Sequence, residues 1–354
     1  MITNLHLIHN PSSVTEKIIM KNNIINFYFF RTEAEAICCS LIANKKKDEI
    51  NCLISYKLNA FNTAKYFTDS EVYLFELKAK NYISRTFEIK RQINFIKSKI
   101  ADHENIVLHL SNYATNTGYI VNALVREHKK VSVQVYPHGL SKVVTKFYSF
   151  KKMIRMKIKK YGRIIFGISY YDNVKDIRGL TSPLTEKVYV YPGLQDKTLK
   201  YHHNVELIPI GNTRSHTVKT KNSMLIIGQR AVDNDLSHND INKVIDKFKE
   251  IAKNEHVEKI DYLPHPRAKR ELFFYDETFN KVSTKHSAEI LAMSEGYRIV
   301  ASFSSTSLIF ARLLNPDSSF KVYSVGLNKA RVLDKFSLIR NTMSLAGVQQ
   351  VDID

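Results

Sequence analysis

Apolar runs of six to eight residues alternate with longer segments of helical period through the first 140 positions. "IINFYFF", "INCLISYK", "EVYLFEL", "IVLHLS" and "VSVQVYP" read as strands, and "RTEAEAICCSLIANKKK", "TFEIKRQINFIKSKIADHE" and "TGYIVNALVREHKK" as the helices among them. Strands separated by helices of this length imply βαβ crossovers, hence a parallel sheet covered on both faces. A second series starts near residue 187 with "KVYVYPG" and continues through "SMLIIGQ", the helix of "SHNDINKVIDKFKEIAKNE", "KIDYLPHP", "HSAEILAMSEG", "RIVASFS", "SSTSLIFARLLNP" and "FKVYSVGL". Ser237 is placed to cap the first of these helices, with Asp240 where a capping box carries its acid. The pattern predicts two Rossmann-like, doubly wound α/β domains, 1–185 and 186–330, with 331–354 as a terminal helix returning to the first. Two such domains facing each other leave a cleft at the carboxyl ends of both sheets, where ligands of doubly wound folds bind.

Composition adds size and charge to this picture. At 354 residues the chain is larger than one hydrophobic core readily serves, which supports two domains. Its three cysteines, Cys38, Cys39 and Cys52, form no CxxC pair, so neither a disulfide framework nor a cysteine metal site is expected, and a reducing compartment fits. "MITNLHLIHNPSS" lacks the marks of a secretory signal, and no run approaches the ~20 apolar residues of a membrane span, so a cytoplasmic protein is expected. The formal net charge of +19 calls for an anionic partner: nucleic acid, lipid, or an acidic polymer or metabolite.

That charge is concentrated in 146–166, "KFYSFKKMIRMKIKKYGRIIF", which holds eight basic residues and no acid. Phe147, Phe150, Ile154, Ile158, Tyr161 and Ile165 recur at helical steps, as in a helix lying on the inner face of an anionic membrane. The same pattern serves a helix packed on its own domain with a solvated basic face, or a groove for a polyanionic substrate.

Three short stretches each close a strand and open a loop or helix: "YPHG" at 136–139, "LPHPR" at 263–267 and "SFSSTS" at 302–307. All three are expected to face the cleft. Pro266 disfavours helix at His265, which is thereby held extended, ready to donate a proton to an anionic group. Ser304, Ser305 and Thr306 start a helix, where hydroxyls either cap the helix or, with its free N–H groups, bind phosphate. Gly228 in "LIIGQR" ends a buried strand where a ligand can approach the backbone.

In order, these segments resemble the bacterial sialyltransferases of lipooligosaccharide and capsule synthesis (polysialyltransferase type). "FYFFRTEAEAICCSLIA" looks like their opening strand and helix, and "GYIVNALVREHKKVSVQVYPHGLS" is similar to their helix, strand and acidic-acidic-glycine segment. "LIIGQRAVDNDLSHNDINKVIDKF", "YLPHPR" and "ASFSSTSLIFA" look like their glycine-glutamine strand end, HP motif and serine pair. The resemblance covers most of the chain. It implies the GT-B fold and an inverting transferase that needs neither metal nor cofactor and takes sialic acid, or a related acidic sugar, from a CMP donor to a cell-surface glycan or glycolipid. It also implies residue roles. His265 matches the general acid on the leaving CMP phosphate, Ser304 and Ser305 the pair binding that phosphate with Thr306 beside them, and Gly228, Gln229, Pro266 and Arg267 the donor side.

The chain departs from that family at "YPHGLS", where Pro137 and His138 stand in place of the acidic pair. Histidine can serve as the acceptor's base, since its pKa near ~6.5 leaves it largely unprotonated at neutral pH. Gly139 and Lys142 complete the acceptor side. "HGLSK" also resembles the polyol-phosphate transferases of teichoic acid and capsule synthesis, which implies a CDP-polyol phosphotransferase as the competing activity. A non-catalytic polyanion binder is the third reading; no nucleic-acid recognition motif is visible.

Overall fold

The computed structural model describes residues 23–354 with the exception of 77, 79–80, 102, 114–115, 129, 138–153, 155–157, 159–160, 172–175, 177–178, 201, 210–220, 230–235, 266–272, 285–286, 304 and 316. The first domain alternates β1 (Ile24–Phe30), α1 (Glu33–Lys45), β2 (Ile50–Ser55), α2 (Leu58–Phe67), β3 (Glu71–Leu74), α3 (Tyr82–Ile100), β4 (Asn105–Leu110), α4 (Thr117–Glu127), β5 (Val131–Val135), β6 (Thr185–Val190), α5 (Gln195–Leu199) and β7 (Val205–Leu207). These strands form one parallel sheet of order β3-β2-β1-β4-β5-β6-β7. The second contains β8 (Lys221–Ile227), α6 (His238–Asn254), β9 (Lys259–Leu263), β10 (Asn280–Lys281), α7 (Ala288–Ser294), β11 (Tyr297–Ser302), α8 (Ser307–Leu314), β12 (Lys321–Leu327), α9 (Ala330–Leu345) and β13 (Gln349–Ile353). Its parallel sheet runs β10-β9-β8-β11-β12-β13. Both orders reverse next to the first strand of the domain, which creates a switch point between β1 and β4 and another between β8 and β11. Two doubly wound domains sharing a cleft are the architecture of the GT-B fold.

Two expectations about the division of the chain are corrected. The strand of "KVYVYPG" does not open the second domain: β6 pairs in parallel with β5 and carries β7 beyond it, so the first sheet extends to Leu207 and the second begins at Lys221. The terminal segment is not helix alone. After α9 it adds β13 to the edge of the second sheet, while Leu345 at the end of α9 lies against Gly193 of the first domain.

Local chemistry accounts for the main helices. Thr32 accepts from the Glu35 amide at 3.2 Å, and the Glu35 carboxylate accepts from the Thr32 amide at 3.0 Å, a complete capping box for α1. Ser237 and Asp240 do the same for α6, as the sequence predicts, and the Lys329 ammonium 2.6 Å from Asp240 pulls that carboxyl down to about 2. The core of the first domain continues into the second: the Cys38 thiol meets the Tyr191 hydroxyl at 3.9 Å, and the Tyr191 ring stands edge-on to Phe310 of α8 at 5.6 Å. All three cysteines are free and buried, and burial pushes the Cys38 thiol up to about 12 and Cys52 to about 11. They are packing residues without nucleophilic character.

One buried group makes stability pH-dependent. His109 of β4 is fully buried, stacks on Tyr28 at 4.0 Å and sits 3.0 Å, through Nε2, from Asn26 Oδ1. The amide oxygen can only accept, so Nε2 carries the proton, and Nδ1 has no partner among the described residues. Burial, reinforced by the Lys46 and Lys187 charges, holds the imidazole well below its ordinary value. The unfolded chain therefore binds a proton that the folded chain refuses. The stability contributed by neutral His109 is complete above the unfolded value of ~6.5 and is lost as pH falls below it. Urea denaturation between pH 7 and 5 is expected to show an acid slope steeper in the wild type than in His109→Phe, by up to about 1.4 kcal/mol per pH unit.

Candidate active site

A cavity of about 810 Å³ lies between the domains, and both sheets aim the carboxyl ends of their strands at it. From the first domain come Arg31 and Thr32 after β1 and Lys57 after β2; from the second come Gly228 after β8, Pro264 and His265 after β9, and Ser305, Thr306 and Ser307 after β11. The second domain's share straddles its switch point, since β8 and β11 are the neighbours across which the order reverses. Val282, Ser283, Thr284, Ser287 and Glu289, around the start of α7, complete that wall.

The predicted residues fall into three groups. His265, Ser305, Thr306 and Gly228 are brought together in this cavity. Gln229 is described but does not line it. His138, Gly139, Lys142, Pro266, Arg267 and Ser304 lie outside the described residues, as does most of 146–166. Tyr136 and Pro137 are buried just past the carboxyl end of β5, and the Tyr136 hydroxyl donates to the Phe29 carbonyl of β1.

Two local readings change with the geometry. Thr306 occupies the N-cap position of α8 but makes no side-chain capping bond; instead the Ser305 hydroxyl accepts from the Ser307 amide at 3.3 Å. Gly228 has its own packing reason: a Cβ there would stand 2.5 Å from the Tyr262 hydroxyl and 2.9 Å from the Leu263 carbonyl. The glycine lets β8 finish against β9, its amide donating to Leu263 O at 2.8 Å, in addition to lining the cavity.

Sequence reasoning missed the facing side of the cavity. On that side Arg31 and Lys57 supply positive charge and Glu33 a carboxylate; on the second domain's wall Lys281 and the buried Glu289 were missed as well. Arg31 and Lys57 follow strand ends just as His265 does, so the signal that selected "LPHPR" was present in "YFFRTE" and "ISYKLN" too. Cations, an imidazole and clustered hydroxyls around an interdomain cavity have the chemistry to hold an anionic ligand with several phosphate or carboxylate oxygens.

No protein-family model and no curated protein matches the sequence. Among solved structures, 92% of the chain is similar to 92% of the UDP-GlcNAc 2-epimerase from Methanocaldococcus jannaschii, at 10% identity and a TM-score of 0.49. The UDP-GlcNAc 2-epimerase from Neisseria meningitidis bound to UDP-GlcNAc matches over 92% of this chain and 94% of its own, at 10% identity and 0.45. MurG from Acinetobacter baumannii matches over 94% and 86%, at 7% identity and 0.38. Likenesses of this size leave the chemistry to the chain's own residues.

Proposed function

We propose that the chain is an inverting glycosyltransferase that takes sialic acid, or a related acidic sugar, from a CMP donor to a glycan acceptor. The observation that carries this reading is the convergence, in one interdomain cavity, of His265, Ser305 and Thr306 with Arg31 and Lys57 of the facing domain. The hydroxyls and cations suit the donor's phosphate and carboxylate. In the reaction the acceptor oxygen attacks the anomeric carbon as the bond from that carbon to the phosphate oxygen breaks. The acceptor proton passes to a base, and CMP leaves with its phosphate oxygen protonated by His265. Fixed donors at the phosphate lower the barrier because negative charge grows there as the bond breaks. His138 remains the proposed base, with Glu33 as the cavity carboxylate that could take its place.

The test begins with CMP binding at low and high salt, followed by separate incubations with CMP-sialic acid, CDP-glycerol and UDP-GlcNAc. Saturable CMP binding that survives high salt, with CMP released from CMP-sialic acid, is the expected result. Consumption of CDP-glycerol alone would transfer the site to polyol-phosphate chemistry, and of UDP-GlcNAc alone to a uridine donor. Binding that needs only a polyanion and vanishes with salt would replace the enzyme by a charge-driven binder.

A further inference from the structure

Eight of the thirteen large hydrophobic side chains exposed among the described residues fall in two segments distant in sequence, 82–87 and 154–165. Ile165 is 87% exposed, Ile158 69% and Phe87 59%. The two segments are held side by side. Arg163 places its guanidinium 4.5 Å from the Tyr82 ring centre and 5.0 Å from that of Tyr119, and donates to Thr86 Oγ1 and Tyr119 Oη, each at 3.0 Å. A Cβ on Gly162 would stand 2.9 Å from the Tyr82 hydroxyl, so the turn that presents Ile164 and Ile165 sits directly on the start of α3. Packing of Gly162 and Arg163 onto the domain therefore leaves Ile154, Ile158, Ile164 and Ile165 exposed.

Along α3 a stripe of exposed and half-buried side chains changes from apolar to basic. Ile83, Phe87, Lys90, Asn94 and Lys97 succeed one another at steps of four and three, which places them on one helical face. Lys90, Asn94 and Lys97 line a cavity of about 320 Å³ with Arg126 and Asn122 of α4. Glu127 also lines it and pairs with Lys97 at 2.5 Å, so three cations stand against one carboxylate. The sequence around the isoleucines adds the acid-free basic run of 146–166. Arg85 lies in the field of both Arg31 at the cleft and Arg163 at this face; burial first, then Arg31 and Arg163, lower its pKa.

We propose that this face of the first domain docks on an anionic phospholipid bilayer. Ile83, Phe87, Ile158, Ile164 and Ile165 enter the boundary between headgroups and acyl chains, and Lys90, Lys97 and Arg126 receive a lipid phosphate. An apolar patch alone would suit a second copy of the chain, and a basic patch alone a soluble polyanion; their adjacency on one helix stripe matches the bilayer interface, where anionic headgroups lie directly above hydrocarbon. Among the described residues no helix is long and apolar enough to cross a membrane, and the attachment proposed is to the surface. Such docking does not depend on which donor the cleft takes.

The full chain, sedimented with vesicles of phosphatidylcholine alone and of phosphatidylcholine with phosphatidylglycerol, is expected to bind the second far more tightly. Lys90→Gln/Lys97→Gln/Arg126→Gln should weaken that binding by on the order of 100-fold. Ile83→Ser/Phe87→Ser/Ile165→Ser should weaken it by roughly tenfold or more, whereas Phe87→Leu and Ile165→Leu retain it. All these side chains are exposed or half-buried, and circular dichroism checks that the variants fold. Equal affinity for both vesicle types, or no binding to either, overturns the proposal. So does binding untouched by the serine variant, which would assign the face to soluble polyanions, and so does a dimer that the serine variant dissociates without change in vesicle binding.

Discussion

His265→Ala is expected to lower donor turnover by about 10²- to 10⁴-fold while changing cytidine nucleotide affinity far less. The reason is positional. His265 follows β9 at the edge of the interdomain cavity, between Pro264 and Pro266, and shares that cavity with Ser305 and Thr306 after β11. In the proposed reaction a group there would meet the leaving phosphate, whose departure creates the charge that a proton neutralises. Binding of the intact donor needs that proton much less than bond breaking does, so the loss belongs in kcat and not in KM. A proton donor leaves a second signature: wild-type kcat should fall at high pH, and that fall should disappear from His265→Ala. If the histidine only shaped the loop, His265→Asn would restore turnover, since asparagine supplies polarity and bulk without a titrating proton. Equal turnover in wild type and His265→Ala would remove the acid from this scheme. On the acceptor side, His138→Ala and Glu33→Gln separate the two candidate bases: the true one should abolish transfer to glycan and spare nucleotide binding.

The alternation of buried strands and helices was legible because each strand of a covered parallel sheet is apolar on both faces, and "IINFYFF" or "SMLII" announces that without knowledge of its partners. Membership in a sheet is not written locally. "EKVYV" has the same apolar character whether it opens a second sheet or extends the first, and only the pairing of Thr185 with Val133 and of Val188 with Val135 decides. Short or polar elements escaped for another reason. α2 has only ten residues, two of them asparagine; β7 and β10 have three and two; and β13, "QQVDI", is an edge strand that alternates with polar residues. The site was half legible on the same grounds. Strand ends could be picked out one by one, those of Arg31 and Lys57 included, but which of them share one cavity, and that Glu289 joins them, depends on the way the domains face each other, a nonlocal fact.

The domain boundary has a physical anchor that predicts the second large effect: Asp176→Ala should destabilise the first domain by about 3–5 kcal/mol, read from urea denaturation. Asp176 is fully buried, and its carboxylate accepts from the Gly179 amide at 2.7 Å, the Leu180 amide at 3.1 Å, and the amide and hydroxyl of Thr181 at 2.9 and 2.7 Å. Alanine would leave the buried Gly179 and Leu180 amides, and the more exposed Thr181 amide, without their acceptor, the expensive half of a broken hydrogen bond. The turn held by this carboxylate aims the chain at the sheet edge. Gly179 adopts φ +85 against the Tyr113 ring, where a side chain would collide; its carbonyl accepts from Thr185 Oγ1 at 2.6 Å; and the Val133 amide of β5 donates to Leu184 O at 2.8 Å. β6 is thereby delivered to the edge of β5, and Tyr191 at its end to Phe310 of the second domain. Asp176→Asn keeps one acceptor oxygen but turns an amide N–H₂ toward donors, so it should fall between wild type and alanine. If the turn is what recruits β6 to the first sheet, the alanine variant should also lose amide protection along 185–190 before it loses protection in β1 and β4. Uniform loss across the sheet would instead make Asp176 a contributor to global stability with no special hold on the domain boundary.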